Sequence, residues 1–427
     1  MVAAVIVLSA AAAIWITTLS ATAAEPEIDW RHTLAGQQPP EAVAAGGFVL
    51  TFADGTLTAL DAPTGEPRWE VAEADGQIRV TTDAVVLARG PRITVYELAT
   101  GAERFTYEGE LGHNPPVFAV SDDTLYTAER VGEEREIVAT DLATADRRWH
   151  RRYAAEVAVS SPVLPDPVDQ SLASAKRLRL AAPSPVVYVN IGLREDGDEK
   201  TVTLDAENGD TLGRPTVLMD LDVYPLVAVH GERVATVGAH EGCLTDVTVY
   251  EPVSRKTETV KFGADCEAGA SLLAPGDVLL GQNVNGFPQV VDPSSGGVRW
   301  TASAQGTTRA FRDPVVAFSP VTEGQPLVMV EITGAESPWS AEDTAPPSGK
   351  TNIVGDLVLS STGAFPTEAA PDDSFATTAY DFGIDKLMWY QAGARLVAVT
   401  DTHLILAITS GKFGALKPVT LAAVPVG

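Results

Sequence analysis

Residues 48–70 read FVLTFADGTLTALDAPTGEPRWE, and this stretch decides the fold. It parses as an apolar strand, an Asp54-Gly55 turn, an alternating strand from Thr56 to Leu60, then Asp61, a Thr64-Gly65 turn and a further strand carrying Trp69. Asp-Gly between apolar runs is a two-residue hairpin signal, because both central positions need positive φ.

The unit recurs along the chain. Ile93, Val95, Glu97, Thr100, Gly101 and Phe105 stand at the offsets of Leu57, Ala59, Asp61, Thr64, Gly65 and Trp69. Ile137, Ala139, Asp141, Thr144 and Trp149 repeat it with Ala145 in the glycine place. Further copies are headed by Asp205, Glu251, Asp292 and Asp381, the last two followed by Trp300 and Trp389. The copy at Asp205 lacks the aromatic. The acidic anchors therefore fall at 61, 97, 141, 205, 251, 292 and 381, with most spacings between 36 and 64 residues. That is near the ~40–50 residues of one four-stranded propeller blade. Residues 161–185 and 333–350, rich in proline, alanine and serine, read as insertions.

The pattern of Asp54-Gly55, Leu57, Ala59, Leu60-Asp61, Thr64-Gly65 and Trp69 resembles the PQQ-like propeller repeat, found in quinoprotein alcohol dehydrogenases and in outer-membrane assembly proteins of the BamB type. The resemblance spans roughly residues 28–427 and implies that Trp30, Trp69, Phe105, Trp149, Trp300 and Trp389 pack between neighbouring blades. At the ends, Ile28-Asp29-Trp30-Arg31 reads as a last strand without a blade, and three strands near 396–399, 404–408 and 416–421 read as a blade without a last strand. Pairing them closes a ring and removes two open edges. The expectation is an all-β, eight-bladed β-propeller of four-stranded antiparallel blades over residues 25–427, with seven blades as the alternative.

Residues 1–24 differ from the rest. Val2 to Ala24 carries no charge and, at ~1.5 Å per residue, is long enough as a helix to cross a bilayer. The ending Ala21-Thr22-Ala23 also fits a cleavage site, so the segment reads as a signal anchor or a signal peptide. An extracytoplasmic chain follows, either single-pass at the cell membrane or secreted. The only two cysteines, Cys243 and Cys266, flank a hairpin-like stretch whose turn holds Pro252, and in an exported chain they are expected to form a disulfide.

With 57 acidic against 30 basic residues the formal net charge is −27, which excludes nucleic acid as a natural partner. Against that background Arg147, Arg148, Arg151, Arg152, Lys176, Arg177 and Arg179 stand out as a candidate docking patch for an acidic partner or a lipid surface. Trp339, outside the repeat pattern, is a candidate interface aromatic. No catalytic or metal-ligating constellation is legible. The quinoprotein enzymes that the repeat resembles carry adjacent cysteines, whereas Cys243 and Cys266 are 23 positions apart. The quinone PQQ is therefore not expected as a cofactor, nor is any other. The alanine-rich, acidic composition suggests an actinobacterium. The expected function is a non-enzymatic binding scaffold in the cell envelope, for an envelope protein or a cell-wall polymer. A quinone-dependent dehydrogenase or carbohydrate-active propeller is the alternative.

Overall fold

In the computed structural model Asp54 and Gly55 both take positive φ, +46° and +76°, and join paired residues Ala53 and Thr56 as a two-residue hairpin loop. The structure describes residues 24–34, 40–108, 118–168, 176–192, 200–213, 226–229, 232–240, 243–262, 272–275, 277–283, 285–312, 315–320, 328–332, 339–340, 349–354, 357–362, 376–381, 386–409 and 419–426. No helix occurs among them, and none long and apolar enough to cross a membrane. The candidate anchor, apart from Ala24, lies outside the described residues.

The strands among the described residues form nine sheets. Sheet 1 is Glu41–Ala45, Phe48–Ala53, Thr56–Asp61 and Pro67–Val71. Sheet 2 is Gln77–Val80, Ala84–Arg89, Arg92–Glu97 and Glu103–Glu108, joined by a fifth strand, Leu178–Leu180. Sheet 3 is Phe118–Ser121, Thr124–Val131, Glu134–Asp141 and Arg147–Tyr153. Sheet 4 is Val157–Ser160, Val186–Ile191, Lys200–Asp205 and Thr211–Gly213. Sheet 5 is Val227–Val229, Arg233–His240, Cys243–Glu251 and Lys256–Lys261. Sheet 6 is Leu279–Gln282, Pro288–Val291 and Val298–Thr301. Sheet 7 is Gly306–Arg312, Val315–Pro320, Val328–Glu331 and Trp339–Ser340. Sheet 8 is Gly349–Val354, Leu357–Thr362, Ala376–Asp381 and Lys386–Ala392. Sheet 9 joins Ala394–Val399, His403–Thr409 and Val419–Pro425 to Trp30–Thr33 from the other end of the chain.

The chain is thus an all-β propeller of four-stranded antiparallel blades. The eight blades read from the sequence are all present: sheets 1 to 6 and 8 carry the seven acidic anchors, and sheet 9 is the one shared by the two ends. Asp29 N–H donates to Ala423 O at 3.0 Å, and the Asp29 carboxylate meets His403 Nε2 at 2.8 Å, which ties the ends within sheet 9. Sheet 7 is additional. It lies in the long interval between anchors 292 and 381, and Glu331 closes its third strand where the other sheets have their acid.

The acid heads a hydrogen-bonded turn at Asp61, Glu97, Asp141, Asp205 and Asp292. Asp61 Oδ1 accepts from Thr64 N at 3.1 Å and Thr64 Oγ1 at 2.9 Å, while its backbone O accepts from Gly65 N at 2.8 Å. The same backbone bond recurs from Gly101 to Glu97, Ala145 to Asp141, Gly209 to Asp205 and Gly296 to Asp292. Just before the acid the ladder shifts by one residue, at Ala59/Leu60, Val95/Tyr96, Ala139/Thr140, Thr203/Leu204, Val290/Val291 and Ala379/Tyr380. This bulge sets the residue eight positions after the acid opposite the residue two before it, as in Ala59↔Trp69 and Ala379↔Trp389.

The chain divides into two compact units, Pro40–Thr308 and the combination of Met1–Pro39 with Arg309–Gly427. In the first unit the core lies between consecutive sheets, as strand alternation requires. Leu57 and Ala59 of sheet 1 pack with Ile78, Val80 and Val85 of sheet 2. The opposite face of sheet 2, with Val86, Ile93 and Val95, packs against Phe118, Val120 and Leu125 of sheet 3. Tyr188 of sheet 4 and Tyr250 of sheet 5 meet edge to face, ring centroids 5.9 Å apart. In the second unit Ala310, Val315 and Ala317 of sheet 7 pack with Val358 of sheet 8.

Candidate functional site

The expected inter-blade aromatics occupy their register positions. Trp30, Trp69, Trp149 and Trp389 are buried, and Phe105 and Trp300 are partly buried. Trp69 Nε1 donates to Leu98 O and Trp149 Nε1 to Ala206 O, both at 2.8 Å. Each acceptor directly follows the acid of the next sheet, so the indole clips onto its neighbour's turn. The glycines of those turns give the rings room. A Cβ on Gly101 would lie 2.5 Å from Trp69 Cγ, and one on Gly209 2.7 Å from Trp149 Cε3.

Trp339 needs a correction. It is not on a loop outside the repeat: it begins the fourth strand of sheet 7, eight positions after Glu331, and its backbone pairs with Met329, two before that acid. That is the aromatic position of the repeat. Thr333 and Gly334 stand one position closer to the acid than in residues 61–69, which hid the copy in the sequence.

The seven basic residues do not form one patch. Arg147, Arg148, Arg151 and Arg152 lie on the fourth strand of sheet 3, an outlying edge. Arg148 is spent on the turn. Its Nη2 reaches Asp123 and Asp141 at 2.5 Å each, and that hydrogen bond chiefly holds the Asp141 carboxyl down to about 2, against an ordinary 3.8. Asp123 is lowered by the same guanidinium. Arg68 does likewise for Asp61, at 2.6 Å. Arg151 pairs with Asp210, and Arg152 Nε meets the buried Glu136 at 3.1 Å. His150 also bonds Glu136; burial opposes ionisation of this carboxyl, but its bonds to His150 and Arg152 outweigh it and lower it. Across the ladder Glu129 sits opposite Glu136 and is raised, first by burial and then by the Glu136 charge.

Lys176, Arg177 and Arg179 belong elsewhere, on a segment that leaves sheet 4 and crosses the first strands of its neighbours. Leu178–Leu180 lies parallel to Gln77–Val80, with Ile78 N donating to Arg177 O at 2.9 Å and Ala181 N to Val80 O at 2.8 Å. Leu178 N donates to Glu41 Oε2 of sheet 1 at 2.8 Å. Ser121 Oγ of sheet 3 donates to Ala182 O at 3.3 Å, and Val163 bridges to Val227 of sheet 5. The proline-rich sequence suits this path. Pro162, Pro165, Pro167, Pro183 and Pro185 have no N–H to satisfy, while Leu178, Ala181 and Ser184 donate to first-strand residues and Leu164 and Ala182 donate within the segment. Lys176 pairs with Asp166, while Arg177 lies 3.6 Å from Asp75 and over the Phe52 ring at 5.8 Å. The segment read as an insertion is therefore, in its described parts, an inner strap on the chain's own sheets.

The hairpin expected between the cysteines is present: Cys243–Glu251 pairs with Lys256–Lys261. Cys266 lies outside the described residues, and so does the expected disulfide. Among the described residues no three His, Cys, Asp or Glu side chains are grouped so as to hold a metal ion.

Residues 12–163 match the family model described as outer membrane protein assembly factor BamB. Over 133 residues, 28% of this chain, the sequence is 35% identical to the serine/threonine-protein kinase AfsK of Streptomyces griseus, and the match spans 16% of that kinase. Among solved structures, BamB from Moraxella catarrhalis is similar at 12% identity and a TM-score of 0.43, covering 93% of this chain and 99% of that one. The quinohemoprotein alcohol dehydrogenase ADHIIG from Pseudomonas putida HK5 is similar at 12% identity and a TM-score of 0.40, covering 94% of this chain and 76% of that one. No chemistry follows from likeness at this level. A repeat that heads its turn with an acid and ends on an aromatic eight residues later, folded into four-stranded sheets, makes this chain a β-propeller whose residues 12–163 match that family model.

Proposed function

We propose that this chain is an extracytoplasmic propeller that acts as a protein-binding scaffold in the bacterial envelope, tethered or exported by residues 1–24. The observation that carries the reading is where the polar groups go. Asp61, Asp123, Asp141, Arg68 and Arg148 are engaged in fixing turns, and the chain's own strap covers first strands of sheets 1, 2, 3 and 5. Recognition is then left to loops and outer strands, where repeat proteins place it. The family match is to an outer-membrane assembly factor, which supports an envelope role, and the Streptomyces griseus relative supports an actinobacterial source. Kinase chemistry is not proposed, because the match spans only 16% of that kinase.

The test is crosslinking in native membranes followed by identification of the partner. One reproducibly recovered envelope protein or cell-wall polymer supports the reading; a chain that stays uncrosslinked and monomeric counts against it. A stable chromophore with dye-linked alcohol oxidation, after incubation with the quinone and calcium, would replace the scaffold with the enzyme alternative.

A further inference from the structure

Arg79, on the first strand of sheet 2, has Arg179 of the strap as its register partner, so two arginines share one face of adjacent parallel strands. Such strands lie about 4.8 Å apart. The Arg79 head group donates from Nη1 to Ile78 O at 3.1 Å and Arg177 O at 3.3 Å, and from Nη2 to Gln77 Oε1 at 3.3 Å. It lies over the Phe118 ring, 5.7 Å from the centroid. None of these neighbours carries a negative charge. By contrast Arg68, Arg104, Arg135, Arg148 and Arg233 each meet a carboxylate.

The donor count sharpens the point. A guanidinium has five N–H groups. Arg79 uses three, which leaves Nε–H and one Nη2–H without an acceptor among the described residues. Those two nitrogens form the edge of the fork that takes two oxygens of one oxyanion side by side. Burial, with the Arg179 charge added, lowers Arg79 to about 10, so it remains charged at neutral pH while poorly compensated. The residue is only partly buried, which leaves the site open to a soluble ion.

We propose that Arg79, with Arg179 beside it, is a binding site for the oxyanion of a small soluble ligand, a phosphate or a carboxylate, with Phe118 packed on the guanidinium face. The ligand supplies the missing countercharge and locks the strap onto sheet 2. A site of this kind is independent of the scaffold role and needs no partner protein.

The test titrates the full chain with inorganic phosphate and with succinate, against chloride at matched ionic strength, by calorimetry and by melting temperature. Phosphate or succinate should bind saturably and raise the melting temperature where chloride does not; the tighter of the two gives the ligand class. Arg79→Gln should weaken that binding about tenfold or more, the value of a charged hydrogen bond. Arg177→Gln, which alters the neighbour paired with Asp75, should leave it within about twofold on the same scale. If Arg79→Gln does not fold, Arg179→Gln carries the same expectation. Equal response to all three anions, or undiminished binding in a folded Arg79→Gln or Arg179→Gln chain, overturns the proposal.

Discussion

Substituting Gly101 with alanine tests the clip between sheets 1 and 2 more sharply than removing the tryptophan does. Gly101 has φ +68°, and a Cβ placed on it would sit 2.5 Å from Trp69 Cγ and 2.7 Å from Trp69 Cβ and Cδ2. Trp69 cannot step aside without losing its 2.8 Å bond to Leu98 O. Two costs add. Left-handed backbone costs an alanine about 1–2 kcal/mol relative to glycine. Forcing a methyl into a filled interface costs a further ~1–3 kcal/mol. Gly90 separates them, since it has φ +54° with nothing within 4 Å of a Cβ. Gly90→Ala should therefore lose about 1–2 kcal/mol and Gly101→Ala about 2–5 kcal/mol. Urea unfolding followed by tryptophan fluorescence reads the difference, provided the slope is unchanged. In a Trp69→Ala background, itself about 3–5 kcal/mol down, the surplus of Gly101→Ala over Gly90→Ala should vanish. Equal losses at the two glycines, or a surplus that survives without the indole, would refute the clip.

Acid should act through the turns. Asp141, held at about 2, and Asp61 and Asp123, also lowered, contribute stability that is complete above the ordinary carboxylate range and is lost as pH falls through the folded values. Melting temperature should therefore drop between about pH 4 and pH 2, with a shallower drop in Arg148→Gln; an identical slope in that variant would remove Arg148 from the account. Trp339→Ala should lower the melting temperature about as Trp69→Ala does, because both stand at the aromatic position of the repeat; a loss of partner binding at unchanged stability would return Trp339 to the role of an interface residue. Thiol titration of the unfolded, unreduced chain should find no free cysteine, and Cys243→Ser with Cys266→Ser should cost about 3 kcal/mol; two reactive thiols would exclude the bridge.

Much of the fold was legible because each repeat's instructions are local. Asp61, Thr64 and Gly65 bond within one turn, so their spacing survives in the sequence wherever the turn survives. Sheet 7 was missed where that spacing slips by one, at Thr333 and Gly334, although the separation of Glu331 from Trp339 matches the other copies. The strap was illegible for a different reason. Leu178–Leu180 is three residues long and pairs in parallel with residues about 100 positions earlier, so no hairpin or period announces it. The placing of the basic residues on separate sheets was illegible for the same cause. Arg151 and Arg177 are close in sequence, but the chain leaves sheet 4 between them and returns to sheet 2.

Several of the repeat's departures are matched across sheets rather than along the chain. Where sheet 1 offers Trp69, sheet 2 answers with Gly101; where sheet 3 offers Trp149, sheet 4 answers with Gly209. Where sheet 2 offers the smaller Phe105, sheet 3 holds Ala145 at the turn position, at φ +64°. Where sheet 4 offers only Gly213, sheet 5 places Arg255 there, at φ +58°, and its side chain lies 3.1 Å from where a Gly213 Cβ would stand. Large meets small and small meets large, as close packing demands when the spacing between sheets is fixed. In sheet 4 the missing aromatic is thus matched by a changed turn on sheet 5, whereas beside Thr259 of sheet 5 the next turn keeps Gly296. Gly213→Ala should accordingly be cheap, because the neighbour is the shaft of a flexible arginine, and a cost as large as that of Gly101→Ala would show that the interfaces are not matched pair by pair.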